Sequence, residues 1–483
     1  MHINTLLAPV FVEQLVTTAN DIIWSYALIA LCIFLGLYLS IKTRFLQIRL
    51  FKNMLKQLFQ EGSNDKGVSP FQAFSIAIAG RVGTGNIAGV ATAIALGGPG
   101  AIFWMWIIAF LGSATAFVEA TLGQVYKIEK NGEYRGGPAY YIEKGIGKKW
   151  YAVLFAVTTI LACTFFLPGV QAQSISESMN NAFGFNRMYI GITVAATLLL
   201  ILVGGSRRIG RFSEIAVTFM AAAYILMAII LIGSNITRVP EALSLIFSSA
   251  FGFDSTFGGM IGSAIIWGVK RGIYSNEAGQ GTAPHAAAAA ATSHPAKQGI
   301  LQAFSVYVDT LFVCTATAFM IIFSGMYNVK GENGEMLVNN LPGVEEGAAF
   351  TQAAISQTFP SIGEGFVAFA LLFFAFTTAM AYYFIAESNL FYLSKKKANI
   401  FIVWLLRAVF VGSIVFGSIS SGGLAWAMGD IGVGLMAWFN LIAVIILHKR
   451  ALLVLKDYEQ QKKEGKDPIF EPEKLGIKNT TEW

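Results

Sequence analysis

About eleven stretches of this chain run for roughly 20 residues with mostly apolar side chains, the length that crosses the hydrocarbon core of a bilayer. Their bounds read as 22–41, 69–95, 99–126, 151–180, 188–205, 211–234, 255–292, 298–325, 361–392, 398–418 and 424–447. Several exceed one straight crossing, which calls for tilt or for a break. The whole chain agrees: 55% of its 483 residues are hydrophobic and only 13% charged, whereas soluble domains carry about 25% charge. The expected class is therefore an all-α integral membrane protein.

Lys and Arg collect in cytoplasmic loops, so their distribution tests the span count independently. One set of loops carries Lys42, Arg44, Arg49, Lys52, Lys56 and Lys66, then Lys127, Lys130, Arg135, Lys144, Lys148 and Lys149, then Arg207, Arg208 and Arg211, then Lys297, then Lys395, Lys396 and Lys397, with the tail from Lys449 onward. The alternate set holds Arg187, Arg238 and Lys330, and no Lys or Arg precedes Asp21. This alternation places the N-terminus outside and the C-terminus in the cytoplasm, in a multi-pass protein of the cell (inner) membrane. The basic balance, pI about 9.0, then belongs to anionic lipid headgroups, with no nucleic acid implied. Ile41–Phe59 mixes apolar and basic residues at helical spacing, as an interfacial helix on the cytoplasmic face does, with a plain loop as the alternative. Met1–Asn20 lacks a signal-peptide pattern, so the first span directs insertion. Cys32, Cys163 and Cys314 sit in apolar spans without CxxC spacing and read as packing residues.

Two spans contain what a membrane helix avoids. "GRVGTGNIAG", Gly80–Gly89, interrupts the second span with glycines, an Arg and an Asn, and "WGVKRGIYSNEAGQG", Trp267–Gly281, interrupts the seventh at similar depth. Each interrupted span opens a run of five, and an odd repeat enters the membrane from opposite sides, giving inverted halves with breaks in corresponding positions, the pattern of a secondary transporter's binding site. Freed backbone groups in lipid cost several kcal/mol each unless protein, water or ligand satisfies them. A helix N-terminus after the break suits a carboxylate, and carbonyls ending the half-helix before it suit a hard cation.

"GRVGTGNIAGVATAIALGGPGAIFWMW" and "GVKRGIYSNEAGQGTAP" resemble the hallmark stretches of the alanine or glycine:cation symporters, bacterial and archaeal sodium:amino-acid symporters, and the span count agrees over essentially the whole chain. The resemblance implies a leucine-transporter-type 5+5 inverted repeat with one extra N-terminal helix and two broken helices. The organisation becomes 1–68, an N-terminal transmembrane helix with the interfacial helix; 69–234, the first five-helix repeat; 235–447, the second, inverted; and 448–483, a cytoplasmic tail. It further implies that Thr84, Gly85 and Asn86 hold a substrate carboxylate. Sodium would be bound by the Ala79, Val82 and Phe374 carbonyls and the Thr377 and Thr378 hydroxyls of "FFAFTTAMAYY". Trp267, Gly268, Gly272, Ser275 and Asn276 would enclose the substrate side chain and amino group, with Gln171. The family commonly shows Gly-Asn-x-x-Gln-x-Asn where this chain has "PGVQAQS", Pro168–Ser174, a departure that touches substrate preference.

Other polar residues carry two readings each. Arg81 either contacts substrate or gates the path, or it ties down carbonyls or pairs with an acid. Glu119 binds a coupling ion or accepts hydrogen bonds from an unwound segment. Lys270, Arg271 and Glu277 form a gate network or line a cytoplasmic vestibule. Thr377 and Thr378 bind sodium or bond back to helical carbonyls. His285 and His294 read as structural. "GTGNIAG" fails as a dinucleotide fingerprint because its spacing is wrong and no strand precedes it. An enzyme would need a nucleophile with its base or a clustered metal set, and the sequence has no HExxH or GxSxG. A channel would want a repeated filter. The reading is a sodium-coupled symporter of small neutral amino acids such as alanine or glycine, working by alternating access, with H+ the alternative coupling ion and Asn328–Ser361 a partial lid. A monomer suffices for this mechanism, and the sequence leaves oligomeric state open.

Overall fold

The computed structural model describes residues 14–59, 66–130, 132–394 and 399–483. Lys395–Lys397 and most of the stretch Met1–Asn20 lie outside the described residues. Among the described residues, 8 helices are long and apolar enough to cross a membrane: Gln14–Lys42, Ala101–Val125, Lys149–Phe183, Arg208–Ser234, Pro295–Ser324, Gly363–Leu393, Ile400–Ile419 and Gly422–Lys463. The other expected spans are shorter pieces. Segment 188–205 forms the 16-residue helix Arg187–Leu202, and 69–95 and 255–292 are each split, because the glycine-rich runs end one helix before the next begins. The first is Pro70–Arg81 followed by a π-helical turn, Gly85–Gly89, and Val90–Gly97. The second is Ile261–Asn276 followed by Ala283–Ala289.

Burial separates an inner layer from an outer one. The most apolar windows of Ala101–Val125 and Gly363–Leu393 are 72% buried, whereas that of Arg208–Ser234 is 33% buried. Its exposed Ile215, Phe219, Leu226 and Ile229 form the surface that lipid tails cover, since apolar side chains cost nothing there. Inside, close approach is achieved with small residues, the usual device where no water drives helices together. A Cβ added at Gly268 would lie 2.5 Å from the Ala101 carbonyl oxygen, and one at Gly299 would lie 2.9 Å from the Phe117 ring. Helix Ala101–Val125 thereby packs closely against Ile261–Asn276 and Pro295–Val306.

The strand start of the first interrupted helix meets the end of the second. Val68 donates its N–H to the Ala289 carbonyl at 3.0 Å, and Ala291 donates to the Val68 carbonyl at 2.9 Å. The chain therefore enters the first where it leaves the second, and the two traverse the core in opposite senses.

Outside the long helices, Leu46–Arg49 and Phe51–Leu58 form short helices within Ile41–Phe59. Met54 and Leu50 are buried while Lys52 and Lys56 are exposed, the division an interfacial helix requires. The 328–361 loop folds as a hairpin, Asn328–Lys330 with Met336–Asn339, and a helix, Ala348–Thr358. The last helix runs on to Lys463, well past the expected end at 447, because beyond the apolar region it is amphipathic, with Ala451, Val454, Leu455 and Tyr458 buried and Lys456 and Gln460 exposed. The chain then turns back along this face. Lys297 pairs with Asp467 at 2.8 Å, Phe470 N–H donates to the Ser293 carbonyl at 3.0 Å, and the Trp483 indole donates to the Gln124 carbonyl at 3.0 Å. Lys127 lies 4.2 Å from the Trp483 ring centroid, and burial pushes its ammonium down to about 7.

Candidate functional site: two interrupted helices and the side chains between them

The first interruption begins from a well-anchored helix. Pro70 occupies the first turn and Ser69 and Gln72 form a capping box, with Gln72 N–H donating to Ser69 Oγ at 3.1 Å and Ser69 N–H to Gln72 Oε1 at 3.2 Å, so the N-terminal donors are satisfied. The other end is left open. After Arg81 the backbone turns extended at Val82, with φ −76° and ψ 91°, and the carbonyls of the last turn lose their helical partners.

Those carbonyls converge on one hydroxyl. Thr378 Oγ1 lies 2.7 Å from the Ala79 oxygen, 3.4 Å from the Val82 oxygen and 2.9 Å from the Phe374 oxygen. A hydroxyl has a single proton to give, so it satisfies one of these oxygens and leaves the others in a dense, buried, neutral oxygen cluster. Such a set, without sulfur or nitrogen, is the donor chemistry of a hard cation. Thr377 shares the Phe374 carbonyl at 2.9 Å but also bonds back to Phe373 at 3.0 Å, so its hydroxyl is turned along its own helix. Among the described residues there is no group of three or more His, Cys, Asp or Glu able to hold a metal, and the oxygen cluster is built from carbonyls instead.

Beside the cluster, Gln171 Oε1 accepts from the Thr84 N–H at 3.2 Å and from the Thr84 hydroxyl at 2.8 Å. An amide oxygen in that position occupies the place a carboxylate oxygen would take on the same donors. Gly83 is required here, because a Cβ would run into the Thr378 hydroxyl and lie 3.2 Å from Gln171 Oε1. Asn86 is held more tightly: its Oδ1 accepts from the Gly83 N–H at 2.8 Å, and its Nδ2 donates to Asp309 Oδ1 at 2.6 Å. Gly85 touches the second interrupted helix, where a Cβ would lie 3.1 Å from Ser275 Cα.

The second interruption has the opposite character, since its freed groups are taken up by side chains. Helix Ile261–Asn276 stops at Glu277, which adopts φ +56°, and Gly279 and Gly281 follow at +92° and +83°. Asn276 Oδ1 accepts from the Ala278 N–H at 3.0 Å, Glu119 Oε1 accepts from the Gly279 N–H at 3.2 Å, Asn440 donates to the Gly279 carbonyl at 2.9 Å and Gln280 donates to the Ile273 carbonyl at 2.6 Å. Asn440 also donates to Glu119 Oε2 at 2.7 Å. Of the two roles open to Glu119, this geometry is that of an acceptor for unwound backbone. Arg81 donates to the Gln302 carbonyl at 3.2 Å and to Ser305 Oγ, so it too ties down a neighbouring helix. His285 lies between Thr282 and Asn389, and His294 caps a helix and meets Asp457.

The structure thus brings together Ala79, Val82, Phe374 and Thr378, with Thr377 at the edge, and next to them Thr84, Gly85, Asn86, Gln171 and Ser275. Asn276 caps the end of its helix and reaches Thr310 Oγ1 at 3.3 Å. Gly268 and Gly272 lie elsewhere, pressed against Ala101 and Met105, where their lack of a side chain serves packing. Trp267 stands with Arg271, their centres 5.3 Å apart, at the wall of a cavity of about 360 Å³ on the face of the 328–361 loop. Lys270 and Arg271 share Asp430 at 3.0 and 2.5 Å. Arg271 and Asp430 line this cavity. Lys330, Glu345 and Glu346 of the 328–361 loop line it too.

The residue that sequence reasoning missed is Asp309. Its carboxylate accepts from Asn86, from Ser275 at 2.9 Å and from Thr310 at 2.7 Å, so one buried acid joins both interruptions. The signal was available: an acid inside an apolar span is costly enough to mark a functional position.

The model of the sodium:alanine symporter family matches residues 10–472. The chain is 56% identical over 468 residues, 97% of each chain, to YrbD of Bacillus subtilis (strain 168), to which a sodium/proton-dependent alanine carrier function is provisionally assigned. It is 50% identical over 433 residues, 89% of this chain and 97% of the other, to the sodium/proton-dependent alanine carrier protein of Bacillus sp. (strain PS3). Among solved structures, a manganese transporter from Eremococcus coleocola superposes with a TM-score of 0.52 at 12% identity, covering 86% of this chain and 94% of that one, a likeness of fold alone.

Proposed function

Because the chain belongs to the sodium:alanine symporter family, and is a multi-pass membrane transporter coupled to sodium or protons and not an enzyme, we propose that it takes up small neutral amino acids such as alanine or glycine with sodium by alternating access. One observation carries the sodium reading: the carbonyls of Ala79, Val82 and Phe374 gather around the Thr378 hydroxyl. A sodium ion among them would join the end of the first half-helix to helix Gly363–Leu393, and its charge would offset the crowded oxygen dipoles. The substrate carboxylate would replace Gln171 Oε1 on the Thr84 N–H and hydroxyl, with Gly85 and Asn86 alongside. Ser275 and Asn276 would face its amino end across Asp309.

The fold reading is a leucine-transporter-type inverted repeat behind one extra N-terminal helix. It is supported by the opposite sense of the two interrupted helices and by their meeting at Val68 and Ala290. In the orientation we propose, the N-terminus and the 328–361 loop are outside and the C-terminal tail is cytoplasmic, so the cavity above Arg271 is the outer vestibule. Ion binding would set the first interruption, substrate would bind beside it, and the two halves would rock to release both inside.

Uptake of labelled alanine by proteoliposomes tests this directly. An inward sodium gradient should drive accumulation, choline replacement should abolish it, and Thr378→Ala should behave in sodium as the unaltered protein does in choline. Accumulation that follows an imposed pH gradient without sodium would move the coupling to protons.

A further inference from the structure

The interrupted helices meet at Val68 and Ala290, and residues 464–483 are laid across the same face. Apart from one short helical turn, Pro472–Leu475, this segment is irregular, yet its Phe470 and Ile477 are buried, at 4% and 6% exposure. Irregular surface chain stays ordered only where contacts tie it down, and here the ties go to two sides. Within residues 235–447, Lys297 pairs with Asp467 at 2.8 Å, the Ser293 hydroxyl donates to the Pro468 carbonyl at 2.9 Å, and the His294 ring stands edge-on to Phe470 at 5.6 Å. Within residues 69–234, the Trp483 indole donates to the Gln124 carbonyl at 3.0 Å, the Thr481 hydroxyl to the Lys127 carbonyl at 3.1 Å and the Asn479 amide to the Lys144 carbonyl at 3.0 Å.

Two aromatic contacts close the segment on itself and on the core. The Phe470 and Trp483 rings are 5.2 Å apart, and the Lys127 ammonium lies 4.2 Å from the Trp483 ring centre and 4.3 Å from that of Tyr134, within the range of a cation–π contact. Gln124 and Lys127 are shared with the seam beneath. Their side chains donate to the Ala290 carbonyl, at 2.9 and 3.4 Å, while their own carbonyls receive Trp483 and Thr481. A movement that frees Ala290 therefore displaces the groups on which the segment rests.

We propose that residues 464–483 are a strap that holds the interrupted helices together on this face, and that release of its Trp483 end from Gln124 and Lys127 accompanies the opening of the face in each transport cycle. A segment tied to both sides of a seam cannot follow both when they part. Its contacts exist only while the seam is shut, so they weight the closed state by their own free energy. The Trp483 end is held through backbone carbonyls at the edge of the protein, where water replaces a lost partner and the net cost of letting go is modest. The Asp467 and Phe470 end stays docked and keeps the strap in reach. This inference rests on the alternating-access reading of the chain.

The test reads the seam and the transport rate separately, in the full chain. Ala290→Cys places a reporter at a position that is 0% exposed, and Cys32, Cys163 and Cys314 are buried, so maleimide labelling in nanodiscs reports opening at position 290. Adding Trp483→Ala should raise the labelling rate by about five-fold or more, as expected when contacts of the closed state alone are removed. In proteoliposomes, Asn479→Cys with Lys144→Cys, bridged by a reducible bis-thiosulfonate, should lose most sodium-driven alanine uptake and regain it on reduction. Labelling left unchanged by Trp483→Ala, or uptake left unchanged by the bridge, overturns the strap. A lower melting temperature in Trp483→Ala with no gain in labelling also overturns it, because the segment then only packs. Each of those results leaves the proposed function standing if the unaltered chain takes up alanine with sodium. Absence of sodium-driven uptake of any small amino acid by the unaltered chain overturns the function itself, and with it the strap's place in a transport cycle.

Discussion

The two interruptions look alike in sequence and differ in how they satisfy their backbone. The first leaves the Ala79 and Val82 carbonyls to a shared hydroxyl on another helix, and Thr84 to the movable end of a glutamine. The second is closed by its own surroundings, with Glu119, Asn440, Asn276 and Gln280 each meeting a freed backbone group. Unwinding in a membrane demands partners in either case. Where protein side chains supply them all, the break is a fixed bend; where they supply too few, ligands complete it. That contrast is what supports the proposed placing of binding chemistry at the first break, with the second break holding Ser275 beside it.

Substitutions test that difference, the largest effect coming from the first break. Thr378→Ala removes the hydroxyl at which three carbonyls meet, and sodium-dependent alanine uptake should fall by at least about ten-fold, equivalent to ~1.4 kcal/mol, with the sodium concentration for half-maximal uptake rising in parallel. Preserved sodium dependence in this variant would remove the contrast between the breaks. Asp309→Asn comes next, because it weakens the link between Asn86 and Ser275. We expect uptake to drop several-fold while the protein still binds sodium, as read by sodium-induced thermal stabilisation.

Glu119→Ala should act on stability. Stranding the Gly279 N–H and the Asn440 amide in a dry core costs about 1–3 kcal/mol per unsatisfied group, seen as a lower melting temperature in detergent. The sodium dependence of the residual uptake should be unchanged; a shifted sodium dependence would show that the second break also binds the ion. The smallest effect is expected from Thr377→Ala. Its hydroxyl bonds back along its own helix, and its loss should change sodium affinity by about two-fold or less, ~0.4 kcal/mol. A loss equal to that of Thr378→Ala would place both hydroxyls on the ion.

The side chains between the breaks were unevenly legible. Thr378 and Gln171 stand in recognisable runs and come to the first break. Gly268 and Gly272 stand in an equally recognisable run, yet they face helix Ala101–Val125, because a glycine in a membrane helix serves close packing as readily as it serves a ligand. Asp309 is far in sequence from both breaks, and the π-helical stretch Tyr307–Cys314 that turns it toward them has no compositional mark. Asp430 follows the same pattern. It is the one charged residue in the apolar stretch 424–447 of the last helix, and its partnership with Arg271 appears only when helices far apart in sequence are packed together.

By itself the sequence determined the solvent, the helical class and the positions of the two breaks. Long apolar runs leave no other way to hide backbone hydrogen bonds from lipid, and glycine with polar residues in such a run leaves no way to keep the helix intact. Tertiary structure alone decided which break is closed by side chains and which gathers its carbonyls on one shared hydroxyl, and which face the charged residues of the second half-helix address. Those outcomes depend on side chains such as Glu119, Asn440, Asp309 and Asp430 arriving from distant helices, and hydropathy, which fixes where a helix lies in the membrane, carries no information about its rotation or its neighbours.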